Sequence, residues 1–388
     1  MQIKLRNKLH IHDNIGGAAI EFTSLATGTV ALTLGTNNVG LAPIDLKTLP
    51  PGNYTCQITA ARTFADPVGP SLVNAGPPPD RVYRPVTLNV AVSAGGVTSA
   101  TPTNAQFANV AIGSTQVTVD IQPVWMKSLT NSARGQSIEM IVVHHTACPI
   151  GPAVNTFLVE KGPHYMIDVD GQIVKWVQDS RSAAHAGVAR WGGHSDINAR
   201  SIGIEIVHAS GTYPASQYAS LLDLLTRIRT AFPGIDARSI VGHSDVGTNA
   251  TGWLGRKSGD PGALFEWQRL EARSLGMLRA FGPPAANIYA GFFQAVQTGS
   301  LRRGDSDKHH RFGGATLAAI TGAPVKALQS DLAAIGYSVG TPDGDFGERT
   351  HHAVVALQEH FFAGGRGHKS PDGRVDFITA GLIKSLVP

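Results

Sequence analysis

A short apolar run ends on two adjacent histidines near the middle of this 388-residue chain. Ile141-Val142-Val143 has the composition of a buried strand, and His144 and His145 follow it directly. Because a strand is rigid, an imidazole at its tip is held in a fixed position, which suits a metal ligand. A second apolar run, Ser239-Ile240-Val241, ends in the same way at Gly242-His243. The two runs predict strand ends that deliver histidines to one edge of a sheet.

The bulk composition limits the classes of protein to consider. A chain of this length predicts two or three domains, and 42% hydrophobic with 15% charged residues is typical of a folded soluble protein. The net charge of +4 comes without a dense block of lysine and arginine, so we expect no nucleic-acid partner. No apolar run of about 18 residues occurs, so we expect no membrane span.

Residues 1–125 alternate apolar and polar side chains in several short runs, among them residues 29–34 and 86–92. Turn clusters separate these runs, and the pattern predicts a small antiparallel all-β sandwich. The segment at 45–55 resembles the "LPPGxY" corner of transthyretin-like β-sandwiches. We expect this domain to serve in targeting or as a spacer.

Residues 136–280 mix strand and helix signals. Asp170-Gly171 lies between two strand-like runs and predicts a hairpin, residues 201–207 predict a buried central strand, and residues 215–231 predict an amphipathic helix. This combination predicts an α/β domain with a mixed sheet. Residues 286–388 are mostly helical by pattern and predict a small helical bundle.

The residue types near the predicted strand ends suggest a metal site. His144, His243 and Asp260, the last in a Gly-Asp-Pro-Gly turn, form a donor set that Zn²⁺ accepts with one position left for water. Glu205 is the only charged residue between 202 and 207. A carboxylate in a buried strand is energetically costly, so it is expected either to be paired with a positive charge or to have a catalytic role. Glu205 therefore predicts either an internal salt bridge or a general base.

With these residues in view, the region resembles the zinc N-acetylmuramoyl-L-alanine amidases of the amidase-2 type, which share a fold with the peptidoglycan recognition proteins. The resemblance spans about 140 residues. The matching pieces follow the family's order: Val143-His144-His145-Thr146-Ala147, His164-Tyr165-Met166-Ile167-Asp168, Ala184-His185-Ala186-Gly187, Asn198-Ala199-Arg200-Ser201-Ile202-Gly203-Ile204-Glu205, Val241-Gly242-His243-Ser244-Asp245, and Gly259-Asp260-Pro261-Gly262.

The resemblance implies that zinc is bound by His144, His243 and Asp260, and that Glu205 orients and deprotonates the attacking water. It implies an oxyanion-stabilising role for Lys257. The family has lysine two residues before the aspartate, and here one residue more separates them, so either Lys257 or Ser258 fills that place.

The same resemblance implies a set of residues on the substrate side of the site. His185 matches a groove-lining residue, with a buried core histidine as the alternative, and the second histidine of the pair is also expected to have a structural role. The set is His145, Tyr165, His185 and Asn198.

The activity implied is hydrolysis of the amide bond between N-acetylmuramic acid and the L-alanine of the stem peptide. Two other classes stay open: a non-catalytic peptidoglycan receptor or tail-associated protein, and a zinc peptidase that cuts within the stem peptide. Cys148 is close to His145 in the sequence, so a catalytic thiol nucleophile has to be considered. A small buried side chain is the favoured interpretation. Cys56 lies in another predicted domain, so no disulfide is expected.

Residues 325–358 resemble the three-helix peptidoglycan-binding domain of wall hydrolases, which implies peptidoglycan as a partner. The N-terminal 17 residues lack the apolar core of a Sec signal. We therefore expect synthesis in the cytoplasm and action in the periplasm or cell wall, reached either as a phage endolysin or as an effector of a contractile or type VI secretion system. Residues 1–125 are the candidate contact with such a particle, and a housekeeping role in the host stays open.

Overall fold

The computed structural model describes residues 1–8, 15, 17–38, 41–44, 49–59, 81–105, 107–126, 128, 130–277, 289, 300–308, 311–312, 315–316, 323–362 and 371–388. The chain forms two compact units: Met1–Thr130 with Cys148–Gln178, and Asn131–Ala147 with Asp179–Pro388. The start of the predicted transthyretin-like corner, at 45–48, lies outside the described residues.

Short strands make up most of the first unit. They are β1 (Gln2–Asn7), β2 (Ala19–Ser24), β3 (Val30–Gly35), β4 (Leu41–Pro43), β5 (Gly52–Thr59), β6 (Arg81–Tyr83), β7 (Val86–Ser93), β8 (Gly96–Pro102), β9 (Ala108–Ile112), β10 (Gln116–Ile121) and β11 (Pro123–Met126). One sheet has the order β4-β1-β10-β9 and another the order β3-β2-β5-β7-β8. Alternate side chains of both sheets enter one hydrophobic cluster that includes Leu5, Phe22 and Val119.

The first strand departs from the predicted antiparallel arrangement, because β1 pairs with β10 in parallel over six residue pairs. Period-2 alternation fixes which face of a strand is buried, but it carries no information on the direction of its partner. The first unit also contains α1 (Ile150–Val159), β14 (Tyr165–Ile167) and β15 (Ile173–Lys175), and β6 pairs with β11. The predicted hairpin at Asp170-Gly171 is present, joins β14 to β15, and places Gly171 at a φ of 86°.

Three parallel strands form the centre of the second unit. They are β13 (Met140–His145), β17 (Ser201–Ile206) and β18 (Ile240–Gly242), in the order β18-β13-β17. Parallel strands end at the same edge, and the register places His144 beside Glu205. The remaining elements are β12 (Asn131–Ala133), β16 (Arg181–Ala183), α2 (Ile197–Arg200), α3 (Ala215–Ala231), a 3-10 turn (Ala237–Ser239), α4 (His243–Val246) and α5 (Trp267–Glu271). We call residues 131–147 and 179–277 the α/β part.

The rest of the second unit consists of two short strands, β19 (Arg311–Phe312) and β20 (Ala315–Thr316), and three helices. The helices are α6 (Pro324–Ile335), α7 (Glu348–Phe362) and α8 (Phe377–Leu386), and we call residues 323–362 and 371–388 the helical module. The predicted helical region is therefore present. Among the helices described, none is both long and apolar enough to cross a bilayer.

The helical module contains an internal repeat with a period of 29 residues. The Gln329 side chain accepts hydrogen bonds from the backbone N–H groups of Asp343 and Gly344 and donates to the Thr350 hydroxyl. In the second copy, Gln358 makes the same bonds to Asp372, Gly373 and Thr379. Each glutamine thus fixes the Asp-Gly turn that starts the next helix.

The helical module and the α/β part share one hydrophobic cluster, to which both contribute buried side chains. The Trp191 ring lies so close to Gly336 that a Cβ there would come within 2.5 Å of it. The Gly192 N–H also donates to the Gly336 carbonyl, at 2.9 Å. The residue after α6 must therefore be glycine for the two parts to pack in this way.

Candidate metal centre

Three predicted ligands meet at the ends of the parallel strands. His144 is the fifth residue of β13, His243 begins α4 directly after β18, and Asp260 lies in a turn that ends with a cis Asp260–Pro261 peptide. The two Nδ1 atoms lie 2.8 Å apart, and Oδ2 of Asp260 lies 2.9 Å from Nδ1 of His243 and 3.9 Å from Nδ1 of His144. The prediction that these residues come together is confirmed.

A chain of hydrogen bonds sets the tautomer of His144. The Ser201 hydroxyl donates to the Ile197 carbonyl, so its oxygen accepts from Nε2–H of His185 at 3.1 Å. Nδ1 of a neutral His185 is then an acceptor, and it lies 2.9 Å from Nε2 of His144. His144 therefore carries its proton on Nε2 and turns the Nδ1 lone pair towards the other ligands.

A backbone carbonyl sets the tautomer of His243 in the same way. Nε2 of His243 lies 2.9 Å from the Ala186 carbonyl, which can only accept, so neutral His243 is also protonated on Nε2. Asn198 holds this peptide, since its side-chain oxygen accepts from the Ala186 N–H at 2.8 Å. The predicted substrate residues His185 and Asn198 thus both lie behind the ligands, where they orient them.

The donor set fits a cation. Two imidazole lone pairs and a carboxylate oxygen converge, and three acceptors so close together repel one another unless a positive charge lies between them. Burial, with a smaller effect of the neighbouring His243, lowers the pKa of His144 to about 4, which favours its neutral, metal-binding form. Burial alone would raise the pKa of Asp260, but the neighbouring imidazoles of His144 and His243 outweigh burial and hold that pKa well below the usual range.

Glu205 lies beside this group on the neighbouring strand. Among the described residues no group donates to its buried Oε2, so the internal salt bridge that the sequence left open is not formed through this atom. Burial raises the pKa of Glu205 well above its usual value, Asp260 raises it further, and Lys257 opposes the rise. A carboxylate of raised pKa is suited to accept and return a proton near neutral pH.

Lys257 and Ser258 point to different partners. The Lys257 stem passes over Gly247, where a Cβ would lie 2.8 Å from its Cβ and Cγ, and its charge acts on Glu205 and His144. The Ser258 hydroxyl donates instead to a carboxylate oxygen of Glu359 on α7. Of the two candidates that the extra residue left open, Lys257 is the one whose charge reaches the site.

His145, the second histidine of the pair, helps to hold Asp260 in place. The His145 N–H donates to Oδ1 of Asp260 at 2.9 Å, and Nδ1 of His145 lies 3.0 Å from the Tyr213 hydroxyl. Tyr213 in turn donates to the Pro261 carbonyl and stacks on His208, with ring centroids 4.0 Å apart. Sequence reasoning missed Tyr213 and His208, which lie in a loop without periodicity.

The other candidates lie in the first unit. The buried Tyr165 hydroxyl accepts from Nζ of Lys175 at 2.8 Å. Cys56 and Cys148 are both free thiols, as expected. Burial raises the pKa of Cys56 to about 12, so this thiol is unreactive.

Two family comparisons match the chain. The N-acetylmuramoyl-L-alanine amidase family matches residues 134–263, which include all three ligands and Glu205. A peptidoglycan-binding domain family matches residues 321–382, the range of the helical module.

Individual relatives agree with the family match. The 1,6-anhydro-N-acetylmuramyl-L-alanine amidase AmpD of Escherichia coli (strain K12) is 30% identical over 155 residues, 34% of this chain and 79% of the relative. AmpD of Haemophilus influenzae is 27% identical over 156 residues, 34% of this chain and 81% of the relative. Among solved structures, the E. coli amidase AmiD in complex with a muropeptide substrate matches 66% of this chain and 91% of its own, at 22% identity and a TM-score of 0.47.

Proposed function

Because this chain belongs to the N-acetylmuramoyl-L-alanine amidase family and carries a peptidoglycan-binding domain, we propose that it cleaves the bond between N-acetylmuramic acid and L-alanine by zinc-assisted hydrolysis. The observation that carries the proposal is the convergence of Nδ1 of His144, Nδ1 of His243 and Oδ2 of Asp260, with both Nε2 atoms held by other groups. A receptor needs no such ligand set and no carboxyl group with an unpaired buried oxygen beside it.

His144, His243 and Asp260 would hold the zinc ion. When bound, Zn²⁺ supplies a Lewis acid that polarises the scissile carbonyl and makes a water molecule acidic enough to react near neutral pH. The chain itself contributes the orientation of the ligands, through His185, Ala186 and the backbone of His145. With three protein ligands, one coordination position is left for water or substrate.

Glu205 would act as the general base and then as the general acid. Its raised pKa allows it to take a proton from the attacking water and to return that proton to the leaving L-alanine nitrogen. Without the returned proton the leaving group would be an amide anion, which is a very poor leaving group. One carboxyl group that both accepts and donates therefore accounts for both proton transfers.

Lys257 would stabilise the negative charge that develops on the carbonyl oxygen. Its side chain is half-buried, and its positive charge influences the pKa values of Glu205, His144 and His145. Charge stabilisation in a partly dehydrated site is stronger than in water.

The helical module would hold the enzyme on the wall. A cavity of about 400 Å³ lies at the first Asp-Gly turn, lined by Gln329, Asp343, Arg349 and Thr350 and by Trp253 from the α/β part. An indole face beside polar side chains is a surface on which sugars and peptides stack and form hydrogen bonds. We propose that this cavity binds the peptidoglycan strand.

We also propose that residues 1–125 form a β-sandwich that targets or spaces the enzyme. The support is the pair of sheets that share one hydrophobic cluster. We propose that the enzyme acts in the periplasm or cell wall, and delivery as a phage endolysin or by a secretion system is consistent with an additional N-terminal domain. Fractionation of producing cells, with the protein found only in the cytoplasm throughout growth and lysis, would contradict this location.

A digest of purified sacculi tests activity and bond together. We expect mass analysis to find stem peptides with a free N-terminal L-alanine, and a chelator to abolish their release until Zn²⁺ is restored. Release of fragments cut within the peptide would favour a zinc peptidase. No release at all, with binding retained, would identify a peptidoglycan receptor.

A further inference from the structure

Two consecutive residues of the helical module contact the two segments that carry metal ligands. On α7, Nδ1 of His360 lies 2.7 Å from Oδ2 of Asp245, two residues after the ligand His243. The preceding residue, Glu359, accepts from the Ser258 hydroxyl and, at 3.3 Å, from the Gly259 N–H, next to the ligand Asp260.

Asp245 connects these contacts to His243. Its side chain is fully buried, and Oδ2 also accepts from the Gly242 N–H at 2.7 Å, which closes the turn around His243. Oδ1 accepts from the Tyr337 hydroxyl at 2.9 Å. Two of the three donors to this carboxylate, Tyr337 and His360, therefore come from the helical module.

Trp267 fills the space between the two ligand segments and α7. Its ring stacks on His360, with centroids 3.9 Å apart and an interplanar angle of 15°. Cζ2 of the same indole approaches Gly242 so closely that a Cβ there would lie 3.0 Å from it. A movement of His360 would therefore reach Gly242 through a rigid ring.

We propose that Tyr337, Glu359 and His360 are positioning residues of the metal site, so that the helical module orients His243 and Asp260 besides binding the wall. The inference rests on the proposed metal-dependent function. A buried carboxylate without its donors is costly, and Asp245 would have to rearrange if they were lost. Such a rearrangement would turn the Val241–Gly242 peptide, whose N–H donates to Asp245, and misalign the ligand His243.

Variants of the full-length protein test the inference through the zinc dissociation constant, measured by competition with a colorimetric chelator. We expect His360→Leu to weaken zinc binding by about 10-fold to 100-fold, as for other residues that orient ligands. His360→Asn should restore most of the affinity, because its amide nitrogen can donate from the position of Nδ1. Tyr337→Phe and Glu359→Ala, which keep the packing largely intact, should show smaller losses in the same direction.

A second readout separates positioning from folding. The absorption spectrum of the Co²⁺-loaded protein reports ligand geometry, and we expect it to change in Tyr337→Phe and Glu359→Ala. Asp331→Asn is the matched control, since it breaks the ion pair with Lys384 inside the module and has no role at the ligand segments. It should alter thermal stability without altering zinc affinity or the Co²⁺ spectrum.

The outcomes are distinct. If all three module variants melt earlier but keep the wild-type zinc affinity and Co²⁺ spectrum, the contacts only stabilise packing and the inference is wrong. If His360→Leu does not fold, Tyr337→Phe and Glu359→Ala decide between the two results. If the wild-type protein itself binds no zinc, the proposed function fails, which is a different result from equal binding by wild type and variants.

Discussion

Nε2 of His144 lies 2.9 Å from Nδ1 of His185, and the rings meet edge to face with centroids 5.0 Å apart. His185 is in turn fixed by Ser201, whose hydroxyl is anchored on a backbone carbonyl. This relay determines which nitrogen of His144 faces His243 and Asp260. The family resemblance implies that His185 lines the substrate groove, with a buried core histidine as the alternative, and its contact with His144 supports a role behind the ligand.

Replacing His185 separates these two roles. We expect His185→Leu to raise the zinc dissociation constant about 10-fold to 100-fold, because His144 loses the acceptor that fixes its tautomer. His185→Asn retains an acceptor and should lose less. The measurement is chelator competition together with KM and kcat on a muropeptide. A raised KM with unchanged zinc affinity would indicate that His185 lines the substrate groove and does not orient His144.

Gly203 makes room for His185 in the middle of β17. A Cβ at this position would lie 2.3 Å from Cγ of the imidazole, which no side-chain adjustment can absorb. We expect Gly203→Ala to displace His185 and to weaken zinc binding as strongly as His185→Leu does. Gly151→Ala, where a Cβ meets nothing within 4 Å, is the control and should leave zinc binding unchanged. Equal zinc affinity of Gly203→Ala and wild type would disprove the relay.

Much of the site could be predicted from local patterns. Apolar runs that end in His144 and His243 indicate strand ends, and loops at strand ends gather at one edge of an α/β sheet, so these two histidines could be expected near each other. The family resemblance then implies the full ligand set of His144, His243 and Asp260. The contacts of Asp245 with Tyr337 and His360 could not be predicted, because they depend on how the helical module packs on the α/β part, and no periodicity encodes that.

One missed feature did have a signal in the sequence. Val-x-Ala-Leu-Gln occurs at 325–329 and again at 354–358, and Pro-Asp-Gly occurs at 342–344 and at 371–373. Comparison of the chain with itself would have revealed the 29-residue period. The direction of β1 relative to β10 had no such signal, since alternation alone does not specify it.

The repeat makes Gln358 a structural residue of the helical module. Gln358→Leu would leave the Asp372 and Gly373 N–H groups without their acceptor, and we expect a loss of about 1–3 kcal/mol in the free energy of unfolding. Gln57→Leu, at an exposed position of β5, should change it by less than about 0.5 kcal/mol. Urea denaturation followed by circular dichroism measures both, and equal midpoints would show that the turn does not need the glutamine.

Substitutions of Lys257 and of Ser258 should affect kcat differently. We expect Lys257→Met to lower kcat by about 10²-fold to 10³-fold, the loss seen when one oxyanion donor is removed, while the zinc dissociation constant changes little. Ser258→Ala removes only the hydrogen bond to Glu359 and should retain most of kcat. Steady-state kinetics on a soluble muropeptide compare the two. A larger kcat loss in the serine variant would assign the oxyanion role to Ser258.

Glu205→Gln should inactivate the enzyme and stabilise the metal-free protein. The amide cannot take a proton, so kcat should fall by about 10²-fold to 10⁴-fold.

The pKa of Glu205 is raised in the folded state above its usual 4.5, so the stability that the neutral carboxyl provides is lost as the pH rises through the folded-state pKa. Glutamine has no such loss, and its advantage should therefore be present at about pH 8 and absent at about pH 4. Thermal melts in chelator at both pH values, with the exposed Glu160→Gln as control, measure it; an advantage that is larger in acid would mean that the carboxylate is stabilised in the fold and that Glu205 is not poised as a base.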